Sequence, residues 1–341
     1  MGKPYFILLL LLLVSCSAEE PLLFPEDRVL AVTVLPHPVE PEAYMRYPFR
    51  VRLADSLLYV MDLHATEAYI RQFSYPALAL RQTFALRGEA PGYFLNAENI
   101  RMDDPSGDVY FLDANKRQLA RIDPENGQLR QSTQLPEALI RTLDFVPVSD
   151  SVFLVPDYTG KHRVTLVDHQ GAILKNLFRI PTDKRDKRAP VVQAQAWRSF
   201  LDYNPANGIL ALATQLGQVI EIYDLQQESI VKIVTGKNGR PQFVEGNGYA
   251  VPSGFMGYSD IHVGREHIYA IFWGTTFDDI RQGIVPQEGG NQIHVFDLRG
   301  NPVCLYTLDR HITGFCVDEA RRKIIALDVN SNQPIIEYDI S

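Results

Sequence analysis

The chain has 341 residues, 46% of them hydrophobic, 22% charged and 10% aromatic, with 22 Gly, 22 Pro and a formal net charge of -8. This balance fits a folded chain with a large core and excludes disorder, collagen-like sequence and a polytopic membrane protein. An excess of 41 acidic over 33 basic residues leaves no broad cationic surface for nucleic acid, and the length suggests two domains unless the chain is a repeat that grows by adding units.

The first element in chain order is a targeting segment. Lys3 supplies a short positive region, and Phe6 to Val14 form an apolar run too short to span a hydrocarbon core, which needs about 20 residues. The run ends at Leu13-Val14-Ser15-Cys16, which resembles a bacterial lipobox, where small residues precede a cysteine that is acylated and becomes the mature N-terminus. The resemblance implies a signal peptide over residues 1–16, a lipid on Cys16 and an anchor in the outer membrane, on its periplasmic face or at the cell surface. An ordinary cleaved signal and a single anchor helix are the alternatives. An N-myristoyl site is excluded because Phe6 stands where that motif wants Ser or Thr. Residues 17–27, with Glu19 and Glu20, read as a polar tether.

From residue 28 onward, short runs of Val, Ile, Leu, Tyr and Phe alternate with clusters of Asp, Asn, Gly and Pro, so the pattern is all-β with no helix longer than a turn or two. The runs recur in a fixed order. Second strands begin at Leu57, Val109, Val152, Ile209, Ile268 and Ile324, which makes six copies. Third strands end at Ile122-Asp123, Val167-Asp168, Tyr223-Asp224, Phe296-Asp297 and Tyr338-Asp339, with Phe73-Ser74 as the divergent first copy. Asp123, Asp168 and Asp297 each open a turn closed by Gly127, Gly171 or Gly300; an Asp there accepts backbone N–H groups and a Gly tolerates positive φ. These aspartates therefore read as turn formers. Four strands per unit, at a spacing of roughly 40 to 55 residues, is the pattern of propeller blades. The sixth copy stops after its third strand, so Arg28 to Leu35 is expected to supply the fourth and close residues 28–341 into one ring.

At this point the chain resembles the TolB-like six-bladed β-propellers found in many Bacteroidetes lipoproteins. The resemblance is carried by Arg87 to Phe94, similar to a Gly-x-x-Pro-Gly-x-Phe loop, and by the tail from Asn291 through Asn301-Pro302 to Leu308-Asp309. It implies a six-bladed β-propeller of four-stranded antiparallel blades with a binding or scaffolding role at the envelope, and it brings no catalytic residue set.

Aligning the first strands places Arg50, Asn99, Asp144, Asp202, Asp260 and Gly314 at equivalent positions around the channel mouth. Three carboxylates on one axis could hold Ca²⁺ through oxygen ligands; alternatively each Asp accepts N–H bonds from the neighbouring blade, which is the preferred reading. His262, two residues from Asp260, would share its face as a base oriented by a carboxylate or as a structural histidine. The eight histidines show no tight metal spacing, and no Gly-x-Ser-x-Gly elbow occurs.

Three insertions in blades three to five carry the binding expectation. Residues 182–197 gather Lys184, Arg185, Lys187 and Arg188 before Trp197; residues 237–257 hold Arg240, Tyr249 and Phe255; residues 275–290 follow Trp273. Trp197, Tyr249, Phe255 and Trp273, with Arg240, are expected to form a platform for a glycan, peptide or protein, against the plainer reading of solvated loops. Cys304 and Cys316 sit in apolar strands and read as two buried free thiols, though one disulfide is arithmetically possible. The expected function is a binding or scaffolding module touching the membrane only through its lipid; the alternative is a metal-assisted hydrolase or lyase at the channel mouth.

Overall fold

The computed structural model describes residues 22–35, 43–102, 107–139, 142–183, 185–284 and 287–340, so Cys16 with its signal segment, and Lys184, lie outside the described residues. Two short N-terminal strands, β1 (Glu26–Leu30) and β2 (Thr33–Val34), precede the first blade. Blade 1 is β3 (Pro48–Ala54), β4 (Leu57–Asp62), β5 (Ala68–Ser74) and β6 (Leu80–Leu86), and blade 2 is β7 (Asn99–Met102), β8 (Val109–Asp113), β9 (Gln118–Ile122) and β10 (Leu129–Gln134). Blade 3 is β11 (Val146–Ser149), β12 (Val152–Pro156), β13 (Val164–Asp168) and β14 (Ile173–Leu177), followed by α1 (Pro190–Ala196). Blade 4 is β15 (Ser199–Asn204), β16 (Ile209–Thr214), β17 (Val219–Asp224) and β18 (Ser229–Thr235), and a separate hairpin, β19 (Phe243–Gly246) with β20 (Tyr249–Pro252), follows it. Blade 5 is β21 (Tyr258–Val263), β22 (His267–Phe272), β23 (Gly290–Asp297) and β24 (Pro302–Ile312), with α2 (Phe277–Gln282) inserted between β22 and β23. Blade 6 is β25 (Gly314–Asp318), β26 (Lys323–Leu327) and β27 (Ile335–Asp339).

Why the second strands read as unbroken apolar runs is plain from the seams. Successive side chains of a strand point to opposite faces, and here both faces are covered by a neighbouring blade. In β8, Val109 and Phe111 enter the core shared with blade 1, while Tyr110 and Leu112 enter the core shared with blade 3. The apolar core is accordingly divided into one cluster per seam, six in all, closing between blades 6 and 1 through Cys316, Ile325, Val51 and Val60. Phe111 is fully buried and stacks near Phe94 and Tyr69, so truncating it to Ala would cost about 3–5 kcal/mol.

The turn aspartates do what their spacing predicts. Asp168 Oδ1 accepts N–H bonds from Gln170 (2.9 Å) and Ala172 (2.8 Å), and Asp297 Oδ1 accepts from Arg299 (2.9 Å) and Asn301 (2.8 Å), with Gly171 and Gly300 at φ 87° and 79°. Both remaining cysteines are buried free thiols.

Ring closure comes from the N-terminal side but is divided between two blades. Only Thr33–Val34 pairs with β27, antiparallel, as the fourth strand of blade 6. Glu26–Leu30 instead runs parallel to Cys304–Leu308 and adds a fifth strand to blade 5. One continuous strand over Arg28 to Leu35 is thus corrected to two. The tether expected over 17–27 also docks sooner: Leu22 and Phe24 pack on the core between blades 4 and 5, with Phe24 4.9 Å from the His294 ring and 5.7 Å from that of Phe296.

Candidate functional site

The inner strands β3, β7, β15, β21 and β25, with the stretch leading into β11, carry the six aligned residues, but one is out of register. Arg50, Asn99, Asp260 and Gly314 pair with Met61, Leu112, Ile271 and Leu327, whereas the equivalent place in blade 4, opposite Ala213, is held by Phe200, and Asp202 stands two residues farther along, opposite Ala211 and level with Arg52 and Arg101. Asp144 joins three blades: its Oδ1 accepts from Asn99 Nδ2 (2.5 Å), Phe145 N (2.8 Å) and Arg101 Nη2 (3.2 Å), and its Oδ2 from Leu201 N of blade 4 (3.0 Å). Asp202 Oδ2 accepts from Val263 N of blade 5 (2.8 Å) while its Oδ1 meets Arg101 Nη1 (3.0 Å). Asp260 accepts from Ile261 N (3.0 Å) and from Phe315 N of blade 6 (3.3 Å), with Arg50 Nη1 at 3.8 Å. Each carboxylate therefore latches one inner strand to the next through N–H groups, four of them at Asp144 and two each at Asp202 and Asp260. Among the described residues no three His, Cys, Asp or Glu side chains gather as a ligand set for a metal ion. This geometry fits the inter-blade reading of the aspartates and does not fit a Ca²⁺ cage at Asp144, Asp202 and Asp260.

Arg50 is buried, donating to Phe49 O (3.0 Å), Thr313 O (3.4 Å) and Ser259 O (3.2 Å), and its guanidinium lies 3.8 Å from the Phe49 ring centroid and 4.9 Å from that of Phe200. Its guanidinium thus lies against two aromatic rings. Gly314 contributes no side chain because the backbone of Phe49 crosses it: a Cβ there would stand 2.3 Å from Phe49 O. His262 sits half-buried beside Asp202, with Nδ1 3.8 Å from Oδ2, too far for a hydrogen bond, and burial lowers its pKa, so it is neutral near pH 7. The carboxylate beside it is Asp202 rather than Asp260.

Arg52 and Arg101 were not among the expected site residues. Both lie two residues beyond a ring position on the same strand, and the period of two would have placed them on the channel face. Arg101 is buried among Asp144, Asp202 and two carbonyls.

The three insertions meet on one face of the ring. They arise from blade-to-blade connections after β14 and β18 and from the β22–β23 loop, all of which leave their strands at the same end. Arg188 stacks 3.7 Å from the Phe243 centroid and donates to Phe243 O (3.1 Å). Gln195 of α1 accepts from Ala250 N (3.2 Å), and Arg240 donates to Pro181 O (3.3 Å). The third insertion is sewn on by Met256 N to Thr275 O (2.8 Å), Gly274 N to Met256 O (2.9 Å) and Phe277 N to Gly254 O (2.9 Å). Thr276 caps α2 by accepting from Asp279 N (3.0 Å), and Gly283 ends it at φ 67°. The result is a cap over blades 3 to 5.

Within the cap the expected aromatic platform breaks up. Trp197 is 3% exposed and packs on Val192, Ala196, Val219 and Phe243, so it holds the cap together and presents no ring to a ligand. Phe255 is half-buried, bridged through its backbone to Thr276, and Trp273 is half-buried with its backbone N–H on Gly257 O. Tyr249 is exposed, as is Arg240. Opposed residues of an antiparallel pair share a face, so Phe243, Glu245, Ala250 and Pro252 form one side of the hairpin and Val244, Tyr249 and Val251 the other. The first side carries the buried Phe243. The second shows Val244 at 57%, Tyr249 at 51% and Val251 at 43% exposure. The basic run beside it is partly self-neutralised, since Arg185 pairs with Asp183 (2.8 Å) and Arg188 with Asp186 (2.5 Å).

A closed ring of six four-stranded blades, latched at its axis and capped on one face, defines the six-bladed β-propeller class. The family model described as TolB-like 6-blade propeller-like matches residues 24–320, and the chain belongs to that family. A candidate exported protein from Bacteroides fragilis is similar in structure, with 9% identity and a TM-score of 0.59 over 92% of this chain and 98% of that one. A member of the DUF4221 family from Bacteroides vulgatus aligns over the same shares at 10% identity and a TM-score of 0.59. Virginiamycin B lyase from Staphylococcus aureus aligns at 12% identity and a TM-score of 0.51, over 91% of this chain and 98% of that one. At such identities the likeness is one of fold. No curated protein matches the chain.

Proposed function

We propose that the protein is a lipid-anchored envelope module that docks a peptide or protein partner on its cap. The observation carrying this reading is that three insertions far apart in sequence interlock to display one outward apolar strip, Val244, Tyr249 and Val251, on a hairpin whose free edges are blocked. Gln195 and Pro252 obstruct the β20 edge, and Arg188 takes the Phe243 carbonyl on the β19 edge, so a partner meets the face of the hairpin and adds no strand to it. Exposed apolar residues grouped on a rigid, polar-rimmed element are the usual core of a protein interface. A glycan platform is less suited, because Trp197 is internal and Trp273 is half-buried. The lipobox-like Leu13-Val14-Ser15-Cys16 supports anchoring, and the similarity to a candidate exported Bacteroides protein supports an envelope location.

The test is co-isolation of the purified full chain with crosslinked envelope proteins, comparing wild type with Val244→Asp and Val251→Asp. The same partner should be retained by wild type and lost by both variants at unchanged melting temperature. Equal retention, or retention of an oligosaccharide alone, would refute the docking assignment.

A further inference from the structure

Among the described residues, six buried side-chain donors have no hydrogen-bond partner: Arg50 Nε, Thr142 Oγ1, Tyr158 OH, Arg198 Nε, Ser259 Oγ and Trp273 Nε1. Buried polar groups are nearly always paired, so each calls for an explanation. Their placement is not scattered. Arg198 immediately precedes the inner strand of blade 4 and Thr142 lies in the stretch leading into that of blade 3, Arg50 and Ser259 lie in the first residues of β3 and β21, and Tyr158 and Trp273 follow the ends of β12 and β22. First strands begin, and second strands end, on the capped face, so all six lie at that end of the ring.

Four of the six are neighbours. Arg50 Nη2 donates to Ser259 O (3.2 Å), and the Arg50 guanidinium lies 4.9 Å from the Phe200 ring centroid. Phe200 is two residues from Arg198. The Arg198 and Arg163 guanidinium groups and the Asp144 carboxylate all act on the Tyr158 hydroxyl, whose pKa is pushed up to about 12, chiefly by burial. The Ser199 backbone N–H lies beside the Tyr158 oxygen without reaching hydrogen-bond geometry, and no acceptor meets the phenol proton.

The chemistry of the set is one-sided. Every orphan can donate, and two belong to guanidinium groups. The acceptors that share this end are engaged with other groups, Asp144 fully and the others in part: Asp144 takes four N–H bonds, Asp260 takes Ile261 N and Phe315 N, and the half-buried Glu98 accepts from Asn96 Nδ2 (2.6 Å). Donors that none of these acceptors meets suit a ligand that brings acceptors and negative charge. Guanidinium groups with hydroxyl and indole donors suit a carboxylate, which offers about four lone-pair sites in one plane. Arg198, Ser259 and Trp273 are half-buried as residues, while their donor atoms are covered. Binding would require these side chains to turn so that their donors face the mouth.

We propose that this donor cluster, beneath the cap at the axis of the ring, is a receptor for a carboxylate group. Two sources share that chemistry, the C-terminus of a peptide and a uronic acid, and the site is independent of the outward strip of Val244, Tyr249 and Val251.

Calorimetric titration and melting of the full chain test the assignment with four probes: a tripeptide with a free C-terminus, the same tripeptide amidated, glucuronate and glucose. At least one acid is expected to bind and raise the melting temperature, while its neutral counterpart does neither; which acid does so identifies the source. Tyr158→Phe and Ser259→Ala should each weaken that binding about tenfold, the worth of one hydrogen bond to a charged group. Neither should lower the melting temperature of the ligand-free protein, because each removes an unpaired hydroxyl. The proposal is overturned if neither acid binds, if acid and neutral probes bind alike, or if the two variants bind as wild type. Loss of ligand-free stability in both variants would also overturn it, by assigning the hydroxyls to the fold. Partner capture through the cap strip can succeed or fail without altering any of these outcomes.

Discussion

Replacing Asp144 with Ala separates a latch from a cation ligand most sharply. The substitution removes acceptors for Asn99 Nδ2, Arg101 Nη2, Phe145 N and Leu201 N, all at hydrogen-bond distance and all in the buried channel wall. Arg101 keeps Asp202 at 3.0 Å, so its charge is not stranded, but two backbone N–H groups and one amide lose their partners. Each buried donor left without a partner costs about 1–3 kcal/mol, and with water entering the vacated space the three together cost about 3–5 kcal/mol. At about 2.1 cal/mol/K per residue, unfolding 341 residues carries an entropy of roughly 0.7 kcal/mol/K, so the melting temperature should fall by about 4–7 °C. Differential scanning calorimetry of wild type and Asp144→Ala, each with Ca²⁺ and with chelator, reads this directly. The latch predicts the same drop in both conditions. A wild-type transition that rises with Ca²⁺, together with loss of that rise in Asp144→Ala, would refute the reasoning and restore a bound cation.

The blade 3–4 seam provides a second prediction. Arg163 Nη2 meets Glu221 Oε1 at 2.7 Å and Ser199 Oγ at 2.6 Å, and Tyr223 OH donates to Glu221 Oε2 (2.6 Å), all buried. Arg163→Met alone should cost about 3–5 kcal/mol, and adding Glu221→Leu should recover most of it, as chemical denaturation of the double-mutant cycle would show. A third concerns acid. His294 is buried against Phe272 and Tyr258, and burial lowers its pKa to about 3, below the ordinary value of 6.5. Above pH 6.5 it is neutral whether folded or unfolded; below that only the unfolded chain takes the proton. Stability should therefore decline by about 1.4 kcal/mol per pH unit from pH 6.5 toward 4, with a shallower slope in His294→Phe. Finally, burial pushes the Cys316 thiol up to about 12, so alkylation by iodoacetamide at pH 8 should follow unfolding and not precede it, as mass spectrometry of native and denatured samples would report.

What was legible in the sequence follows from local geometry. The second strands fall on β4, β8, β12, β16, β22 and β26 within a residue or two because strands buried on both faces write continuous apolar runs, and Asp168 and Asp297 mark turns that close within five residues. The β19–β20 hairpin also left a mark that went unread: Asn247 and Gly248, at φ 51° and 77°, form the two-residue turn favoured in hairpins. The site is harder to read because its contacts span the chain. That Asp144 accepts from Leu201 N, or that Trp197 is covered by Phe243, depends on how blades and insertions abut, which no local pattern encodes. Likewise the period of two puts Arg28 to Leu35 in strand conformation, but only the outer edges of blades 5 and 6 decide that its halves pair separately.

That division has a mechanical consequence. A pull transmitted along the chain from the N-terminal side meets β1 end-on, and β1 lies parallel to β24 over five register pairs, Glu26 with Cys304 through Leu30 with Leu308. Tension directed along a strand loads its ladder in shear, so those pairs must yield together. The clasp that shuts the ring, Thr33–Val34 on β27, stands behind this brace and is shielded from the load until the brace has slipped.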